Sequence, residues 1–346
     1  MGYKSSIEWC DATWNPVRGC SMAKGSEAGG CLNCYAARLS ARNLPEMKSP
    51  TTGEPFARIL ESGPRWTGKV ELIEKALTLP FEWKKPRRIF VNSLSDLFHE
   101  GLKDEEIDRV FAGMALCPQH TFQVLTKRPE RMVKYLSMPD QRYRLSVIAS
   151  SLGRDFYRDK DASKWHYHVW QDPAMKWPLP NVWLGVSVEN QATADMRIPL
   201  LLQTPSAKRF VSYEPALAGV EFERGRGWLT GQSHDNAPYK GKRIDWLICG
   251  GESGPGSRPF DVQWARDTIA QCKAAEIACF VKQLGARPFV RNRSDYPDWP
   301  GKPTFSIMSM SEPQIYPRQL VKLKDRKGGS MQEWPADIRV RQFPDA

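Results

Sequence analysis

The sequence predicts an α/β fold in which parallel strands form a complete or partial barrel. Short apolar segments alternate with helix-like stretches, and polar residues follow most of those segments. The 346 residues, with 41% hydrophobic composition, suffice for one large core or two smaller ones. The predicted strands are residues 7–9, 88–93, 121–126, 181–188, 209–213, 245–251 and 278–283. This number of strands favours a barrel over a flat, doubly wound sheet.

Helical periodicity lies between several of these strands. Residues 104–117 place their apolar side chains at helical spacing. Residues 192–203 begin as a helix, which Pro199 is expected to kink or end. Residues 261–276 start with an acidic N-cap candidate. This alternation predicts a parallel sheet with right-handed crossovers.

Polar residues cluster where the predicted strands end. In α/β barrels the active site is built from the carboxyl ends of the strands, so these residues are candidates for a site. In chain order they are Asn92, Ser93, Ser95, Asp96, Thr126, Lys127, Arg128, Ser187, Glu189, Asn190, Glu214, Glu252, Ser253, Lys282 and Gln283.

The predicted barrel occupies residues 1–287. Two basic segments, at about 140–178 and 222–243, are interpreted as insertions. The Pro- and Arg-rich residues 288–346 are predicted to form an irregular C-terminal extension that packs on the barrel.

The net charge is +11 and the isoelectric point is about 9.3. Such a charge favours a polyanionic partner, most simply nucleic acid, although a solubility effect without any partner is the alternative. No run of about 18 apolar residues predicts a membrane span, and the N-terminus lacks the apolar region of a secretory signal. We therefore expect a cytoplasmic protein, monomeric and without a membrane partner.

The eight cysteines fall into two groups. Without an export signal, disulfides are not expected, and metal binding or catalysis is the better interpretation of clustered cysteines. The clustered ones are Cys20, Cys31 and Cys34, with Cys10 shortly before them. The other four cysteines lie in apolar stretches and are interpreted as small buried side chains. These four are Cys117, Cys249, Cys272 and Cys279.

The spacing of Cys20, Cys31 and Cys34 is C-x10-C-x2-C, followed by an aromatic residue. Three thiolates can hold three irons of a [4Fe–4S] cluster and leave the fourth iron open, whereas four thiolates would close it. An open iron can chelate the amino and carboxylate groups of S-adenosylmethionine. The competing interpretation is structural zinc, with a fourth ligand such as Cys10.

Six segments together resemble the phage-associated three-cysteine-motif family, regarded as radical-SAM-like and akin to spore photoproduct lyase. They occur in order over roughly residues 5–286 and read SIEWCDATWNPVRGC…GGCLNCYA, VNSLSDLFHE, LTKRPERM, NVWLGVSVEN, RFVSYEPAL and ICGGESGPGSRP. One departure is the first gap of ten residues, where the common radical-SAM pattern has three. It concerns the geometry of the loop and not the number of ligands.

The resemblance implies a partial (β/α)6-type barrel with the cluster at its top and S-adenosylmethionine across the strand ends. It assigns Ser93, Ser95 and Asp96 to the methionine amino group; the alternative is an N-cap. It assigns the group after the fourth strand to the ribose and the methionine carboxylate; the alternative is a solvated strand end. That group is Ser187, Glu189 and Asn190.

Further residues are assigned to cofactor or substrate by the same resemblance. A glycine-containing segment resembles the wall on the adenine or substrate side, and consists of Gly250, Gly251, Glu252 and Ser253. Asn92 and Glu214 complete the predicted cofactor shell. Four cations are candidates to bind substrate phosphate or carboxylate, or alternatively to pair with Glu189, Glu214 or Glu252; they are Lys127, Arg128, Arg258 and Lys282. Tyr35 and Tyr213 are candidates to relay a hydrogen atom or stack on a base, with packing as the alternative.

The expected activity is therefore radical chemistry. An external donor of the flavodoxin or ferredoxin type reduces the cluster, S-adenosylmethionine is cleaved to a 5′-deoxyadenosyl radical, and the radical takes a hydrogen atom from the substrate. Charge and the resemblance to phage proteins point to a modified pyrimidine in DNA, with isomerisation of an amino-acid group attached to thymine as the expected reaction. The reaction would take place in the host cytoplasm if the protein is phage-encoded. The alternatives are a lyase that repairs pyrimidine lesions and a non-catalytic, zinc-containing nucleic-acid-binding protein.

Overall fold

The structure is a computed structural model that describes residues 5–26, 29–42, 44–157, 176–233, 236–291, 299–300, 304–307 and 319–345. Within these ranges the strands are β1 (Ala12–Trp14), β2 (Val17–Arg18), β3 (Ala57–Leu60), β4 (Gly63–Trp66), β5 (Glu71–Leu72), β6 (Arg88–Val91), β7 (Thr121–Thr126), β8 (Val182–Val188), β9 (Lys208–Tyr213), β10 (Trp246–Gly250), β11 (Phe260–Asp261), β12 (Ala278–Gln283), β13 (Pro288–Val290), β14 (Thr304–Ile307) and β15 (Gln319–Lys322).

The helices of the described residues are mostly placed between strands of the main sheet. They are α1 (Tyr35–Ser40), α2 (Asp104–Ala115), α3 (Pro129–Leu136), α4 (Gln141–Tyr157), α5 (Gln191–Gln203) and α6 (Val262–Ala274). Single turns of 3-10 helix occupy Pro45–Met47, Glu74–Ala76, Leu79–Glu82, Met331–Glu333 and Ala336–Ile338. None of the described helices is long and apolar enough to cross a membrane.

Seven strands form one sheet in the order β1-β6-β7-β8-β9-β10-β12. The pairs β1–β6, β6–β7 and β7–β8 are parallel, as are β9–β10 and β10–β12. From β6 onward, neighbours in the sheet are also successive along the chain apart from the short β11, whereas β2 to β5 lie between β1 and β6 and belong to separate small sheets. This is the strand order of a partial barrel, and it confirms the predicted α/β fold with a parallel sheet.

Six of the seven predicted strands coincide with strands of this sheet, and the first does not. Residues 7–9 form turns, in which the Cys10 amide donates to the Ile7 carbonyl, and the first strand is β1. Of the two expected effects of Pro199, ending the helix is excluded, because α5 continues through it to Gln203. The predicted N-cap of α6 is confirmed: the Asp261 carboxylate accepts a hydrogen bond of 3.0 Å from the Gln263 amide.

The C-terminal region contains regular structure where an irregular extension was expected. Strands β11, β13, β15 and β14 form a second, four-stranded sheet. The last residues then pair with β12, since the Val281 amide donates to the Val340 carbonyl and the Gln342 amide to the Cys279 carbonyl. The local hydropathy of a Pro- and Arg-rich segment does not reveal strands that find their partners far away in sequence.

The chain divides into two compact units. The first consists of residues 1–24, 34–186 and 203–209, and the second of residues 25–33, 187–202 and 210–346. The expected boundary between a barrel and an extension at residue 287 stays a prediction. The insertion expected at 140–178 begins with helix α4, and its residues 158–175 lie outside the described residues.

A buried carboxylate joins three helices of the first unit. Asp108 of α2 is 1% exposed and accepts hydrogen bonds from the Tyr135 hydroxyl of α3 at 2.7 Å and from Arg144 of α4 at 2.5 Å. The side-chain Nε2 of Gln141 donates to the same carboxylate at 3.2 Å. Burial, followed by the nearby Asp108 charge, raises the pKa of Tyr135, which therefore stays a hydrogen-bond donor.

Replacing Asp108 by alanine is expected to lower the free energy of unfolding by about 3 kcal/mol, because Tyr135 and Arg144 then lose their shared acceptor. Asp104, at the start of the same helix, forms a more exposed pair with Arg131. Asp104→Ala is the matched control and should cost within about 1 kcal/mol. Urea unfolding of both variants measures the difference; equal effects would contradict this account of Asp108.

Candidate functional site

The segment that carries Cys20 is attached to the end of β6 in the first unit. Gly19 forms a parallel β-bridge with Ser95, and the Ser95 hydroxyl donates to the Val17 carbonyl at 2.8 Å. Gly19 has a φ of +86°, and a Cβ atom there would lie 2.0 Å from the Lys69 carbonyl oxygen. A glycine is therefore required next to Cys20, because any side chain would push the segment off the strand end.

A buried guanidinium lies beside the Cys20 sulfur. Arg128, 5% exposed, follows β7, and its Nη1 is 3.7 Å from Cys20 Sγ. Its Nη1 also donates to Asp96 at 3.1 Å, and its Nε to Glu100 at 2.8 Å. Burial alone would lower the pKa of Arg128, but the interactions with Asp96, Cys20 and Glu100 outweigh it and raise that pKa above its usual value. Arg128 therefore stays a fixed cation that attracts an anionic sulfur.

His99 extends this network, although the sequence analysis did not select it. Its Nδ1 accepts a hydrogen bond from the Gly101 amide at 3.0 Å, and its Nε2 is 2.8 Å from the Ser21 hydroxyl. Burial and the nearby Arg128 lower the pKa of His99. The neutral ring, with its proton on Nε2, fits both contacts. Arg128 donates to the same Ser21 hydroxyl at 2.9 Å, so the residue after Cys20 is held from two sides.

The polar residues after β6 mainly hold the chain itself. Ser93 donates to Asn15 at 3.1 Å. Asp96 accepts from the Thr126 hydroxyl at 2.7 Å and from the Lys127 amide at 3.1 Å, besides Arg128. The side-chain nitrogen Nδ2 of Asn92 differs from these polar groups, because it is buried and has no hydrogen-bond partner among the described residues. An unsatisfied donor at a strand end fits an acceptor group of a ligand.

Cys34 directly precedes helix α1 and is its N-cap residue, without a side-chain capping bond. The first residue of that helix, Tyr35, is 52% exposed, and its hydroxyl donates to the Ser93 carbonyl at 2.8 Å. The Cys34 end of the motif is thus tied, like the Cys20 end, to the residues that follow β6.

In the second unit, a fully buried ion pair holds the loop between Cys20 and Cys31. Glu189 follows β8 and Arg197 belongs to α5; both side chains are 0% exposed and pair at 3.0 Å. Arg197 also donates to the Ser26 hydroxyl at 2.6 Å and to the Ser187 carbonyl at 2.7 Å. Glu189 accepts from the Gly30 amide at 3.3 Å.

A second carboxylate, that of Glu252, and its partner Arg258 contact the chain on both sides of Cys31. Glu252 follows β10 and accepts from Asn33 at 3.2 Å and from Arg258 at 2.7 Å. Arg258 also donates to the Gly29 carbonyl at 3.0 Å. Burial raises the pKa of Glu252, but the hydrogen bonds from Arg258 and Asn33 outweigh it and hold that pKa below its usual value. The carboxylate therefore stays charged.

The remaining predicted residues of the second unit are mostly engaged within the fold. Lys282 pairs with Glu214 at 2.6 Å, as Arg258 does with Glu252, which is the alternative interpretation of these cations. The Ser187 hydroxyl donates to the Glu214 carbonyl at 3.3 Å. The Tyr213 hydroxyl donates to the Ala218 carbonyl, and burial raises its pKa.

Other predicted residues of this unit shape its backbone. The side chain of Asn190 caps α5 by accepting from the Thr193 amide at 3.0 Å. A Cβ atom at Gly251 would lie 2.4 Å from the Leu284 carbonyl, and one at Gly250 would lie 3.3 Å from the Gln283 carbonyl. The two glycines thus allow a close approach of neighbouring chain. Ser253 is half-buried.

The three motif cysteines supply the donor chemistry of an iron–sulfur ligand set. Cys20, Cys31 and Cys34 are free and partly exposed, whereas the other five cysteines are free and buried. The first and third belong to the first unit and the second to the second unit. Their thiols and the cation beside Cys20 fit an anionic cluster chemically. Among the described residues, however, no three His, Cys, Asp or Glu side chains form a group that could hold a metal ion.

Arg197 is the principal residue that sequence reasoning missed. The signal for it was present: Arg197 interrupts an otherwise largely apolar stripe on α5, whose buried residues are Thr193, Ala194, Arg197, Ile198, Leu201 and Leu202. A charge on the core face of a helix requires a buried partner. The sequence alone does not say which of several carboxylates that partner is.

A profile of one protein family matches residues 4–327, which is most of the chain; its description is "Protein of unknown function (DUF5131)". No curated protein and no solved structure gives a significant match. The comparisons thus supply a family but no activity.

Replacing Arg197 by methionine should lower the free energy of unfolding by about 3 kcal/mol, because Glu189 is left buried without its cation. The loss of the Ser26 contact should also speed trypsin cleavage after the exposed Lys24. The matched control is Arg226→Met, which removes an exposed pair with Asp195 and should cost within about 1 kcal/mol. Unchanged cleavage after Lys24 in Arg197→Met would show that this arginine does not fix the loop.

Proposed function

We propose that this chain, which belongs to the DUF5131 family, is a radical S-adenosylmethionine enzyme whose [4Fe–4S] cluster is held by Cys20, Cys31 and Cys34. The observation that carries the proposal is the anchoring of the cysteine segment to residues that follow parallel strands. Next to Cys20 this anchor is Arg128, and before Cys31 it is Glu189. A structural zinc site requires neither a cation beside a thiolate nor a shell of strand-end residues.

The chain's own residues would divide between holding the loop and meeting the cofactor. Both carboxylate oxygens of Asp96, Glu189 and Glu252 accept hydrogen bonds within the fold, so we assign these residues to positioning. Asn92 retains a buried donor, which suits the carboxylate of S-adenosylmethionine. Arg128 would offset the negative charge of the ligating thiolates.

When bound, the cluster would supply the electron that cleaves S-adenosylmethionine to methionine and the 5′-deoxyadenosyl radical, with an external flavodoxin- or ferredoxin-type protein as the source of electrons. The buried carboxylates and arginines would keep the loop fixed during this step. A fixed loop limits the reorganisation that accompanies a change of charge.

The proposed substrate is a modified thymine in DNA, whose attached amino-acid group is isomerised. The net charge of +11 supports a polyanionic substrate. Since Arg128, Arg258 and Lys282 are ion-paired within the fold, the phosphate contacts are expected to come from other cations. A base in a duplex would have to leave the stack, or be met in a single strand, to reach the radical.

Anaerobic purification should yield a brown protein with about four irons per chain. Cys20→Ala, Cys31→Ala and Cys34→Ala should each lose the colour and most of the iron. Cys10→Ala is the control: Cys10 is buried, and its Sγ lies 3.2 Å from the Ser5 hydroxyl, so its loss should leave the iron content unchanged. A colourless protein with one zinc per chain, lost in Cys10→Ala, would establish the zinc alternative instead.

The substrate is tested with the reconstituted enzyme, S-adenosylmethionine, a reductant and phage DNA that carries modified thymines. Digestion to nucleosides and mass spectrometry should show a nucleoside of unchanged mass and altered retention, as an isomerisation requires. Restoration of unmodified thymine from irradiated DNA would support lesion repair. Formation of 5′-deoxyadenosine with an unchanged nucleoside profile would contradict the DNA substrate but not the radical chemistry.

A further inference from the structure

A β-hairpin follows the cysteine motif and is separate from the main sheet. Strands β3 and β4 form a two-stranded sheet of their own, in which Leu60 pairs with Gly63 next to the turn. Helix α1, which begins directly after Cys34, contacts both strands. The hairpin thus projects from the helix that is tied to the end of β6 through Tyr35, all within the first unit.

The end of this hairpin exposes large apolar side chains. Ile59 is 73% exposed and Leu60 is 54% exposed. Both precede the turn at residues 61–62, and Leu44, 44% exposed, lies between α1 and the hairpin. A two-stranded ribbon with an uncovered apolar tip has little stability of its own, so the tip is better explained by a partner than by folding.

Two arginines lie directly opposite each other on the same hairpin. Arg58 of β3 pairs in register with Arg65 of β4. Like charges in this position destabilise a two-stranded sheet. Because side chains alternate between the faces of a strand, both arginines share a face with Leu60. Arg58 is also paired with Glu54 at 2.9 Å, but both side chains are about 60% exposed, and such a surface pair is weak enough to exchange for a phosphate.

We propose that the hairpin formed by residues 57–66 is the element that docks on the nucleic-acid substrate. Arg58 and Arg65 contact backbone phosphates, and the tip residues Ile59 and Leu60 pack against the bases. The inference rests on the proposed function, from which it takes DNA as the substrate. It adds the surface that grips the strand.

The shape of the hairpin and its pair of arginines favour DNA over a protein partner. The exposed Glu61 in the turn partly offsets their charge, so the face that carries the arginines is the surface that meets phosphate. Two-stranded β-ribbons of other proteins enter the major or the minor groove of DNA, and apolar side chains inserted from the minor groove unstack base steps. Two guanidinium groups on one face suit phosphates that recur along a strand. Contact with the bases would serve the chemistry, because a target base must leave its stack before it can react.

The test measures binding of the full-length, cluster-loaded protein to a fluorescent DNA duplex by anisotropy at several salt concentrations. Arg58→Gln/Arg65→Gln should lower the slope of log affinity against log salt by about 2, one for each lost phosphate contact. Ile59→Ser/Leu60→Ser should weaken binding about tenfold with an unchanged slope, because apolar contact is lost while charge is kept.

Two control variants match these changes elsewhere on the surface. Arg109→Gln/Arg226→Gln removes the same charge from arginines that pair with Glu74 and Asp195. Tyr143→Ser/Val147→Ser removes two exposed apolar side chains, 72% and 51% exposed, from α4. Both controls should bind DNA with the wild-type slope and affinity.

Several outcomes would overturn the docking role. If the hairpin variants bind DNA like the wild type, the docking role is wrong. The proposed radical chemistry is not affected by that result, because it is measured separately by iron content and 5′-deoxyadenosine formation. Wild-type protein that forms 5′-deoxyadenosine but binds no DNA at any salt concentration would remove the partner itself. Hairpin variants that bind DNA normally but accept electrons more slowly from a flavodoxin would assign this surface to the electron donor.

Discussion

Two charges excluded from water, those of Glu189 and Arg197, constrain the loop between the first two motif cysteines. A buried carboxylate and guanidinium must satisfy each other and their remaining hydrogen-bonding groups, because an unpaired charge in the interior is strongly unfavourable. The pair meets most of this requirement by recruiting Ser26 and Gly30 of the loop itself, while Arg197 Nε has no hydrogen-bond partner among the described residues. The ten residues between Cys20 and Cys31 therefore have a structural role: they are long enough to reach the end of β8 and be fixed there.

A buried ion pair also positions the cysteine segment in the first unit. Arg128 is buried beside Asp96 and extends to Ser21 and to the sulfur of Cys20. Polar residues at the strand ends thus serve first to position the cysteine segment. Only some atoms, such as the side-chain nitrogen Nδ2 of Asn92, remain available for a ligand. This pattern is compatible with an enzyme that must hold a charged cofactor still, since donors and charges fixed before the reaction need not reorganise during it.

Most residues of the candidate site can be identified from the sequence, but the contacts that they make cannot. Glu189, Glu252 and Arg128 can be recognised as candidates from the sequence because they follow strands, and they do contact the cysteine segment. Their assignment to cofactor or substrate stays a prediction, and the structure adds contacts of these residues with the chain itself. Arg197 and His99 cannot be recognised in the same way, because their contacts with Ser26 and Ser21 join segments far apart in sequence. A side chain's type and position along a strand indicate where it lies, but its hydrogen-bond partner depends on the packing of distant segments.

The sequence by itself determined the parallel α/β fold and six of the seven strands, because apolar runs such as residues 121–126 and 278–283 are buried on both faces and can be recognised locally. It also determined the three clustered cysteines and their spacing. Only the tertiary structure decided which charges pair, where the C-terminal strands find their partners, and that the tip of the 57–66 hairpin stays uncovered. These features depend on contacts between segments that are distant in sequence, and local periodicity carries no information about such contacts.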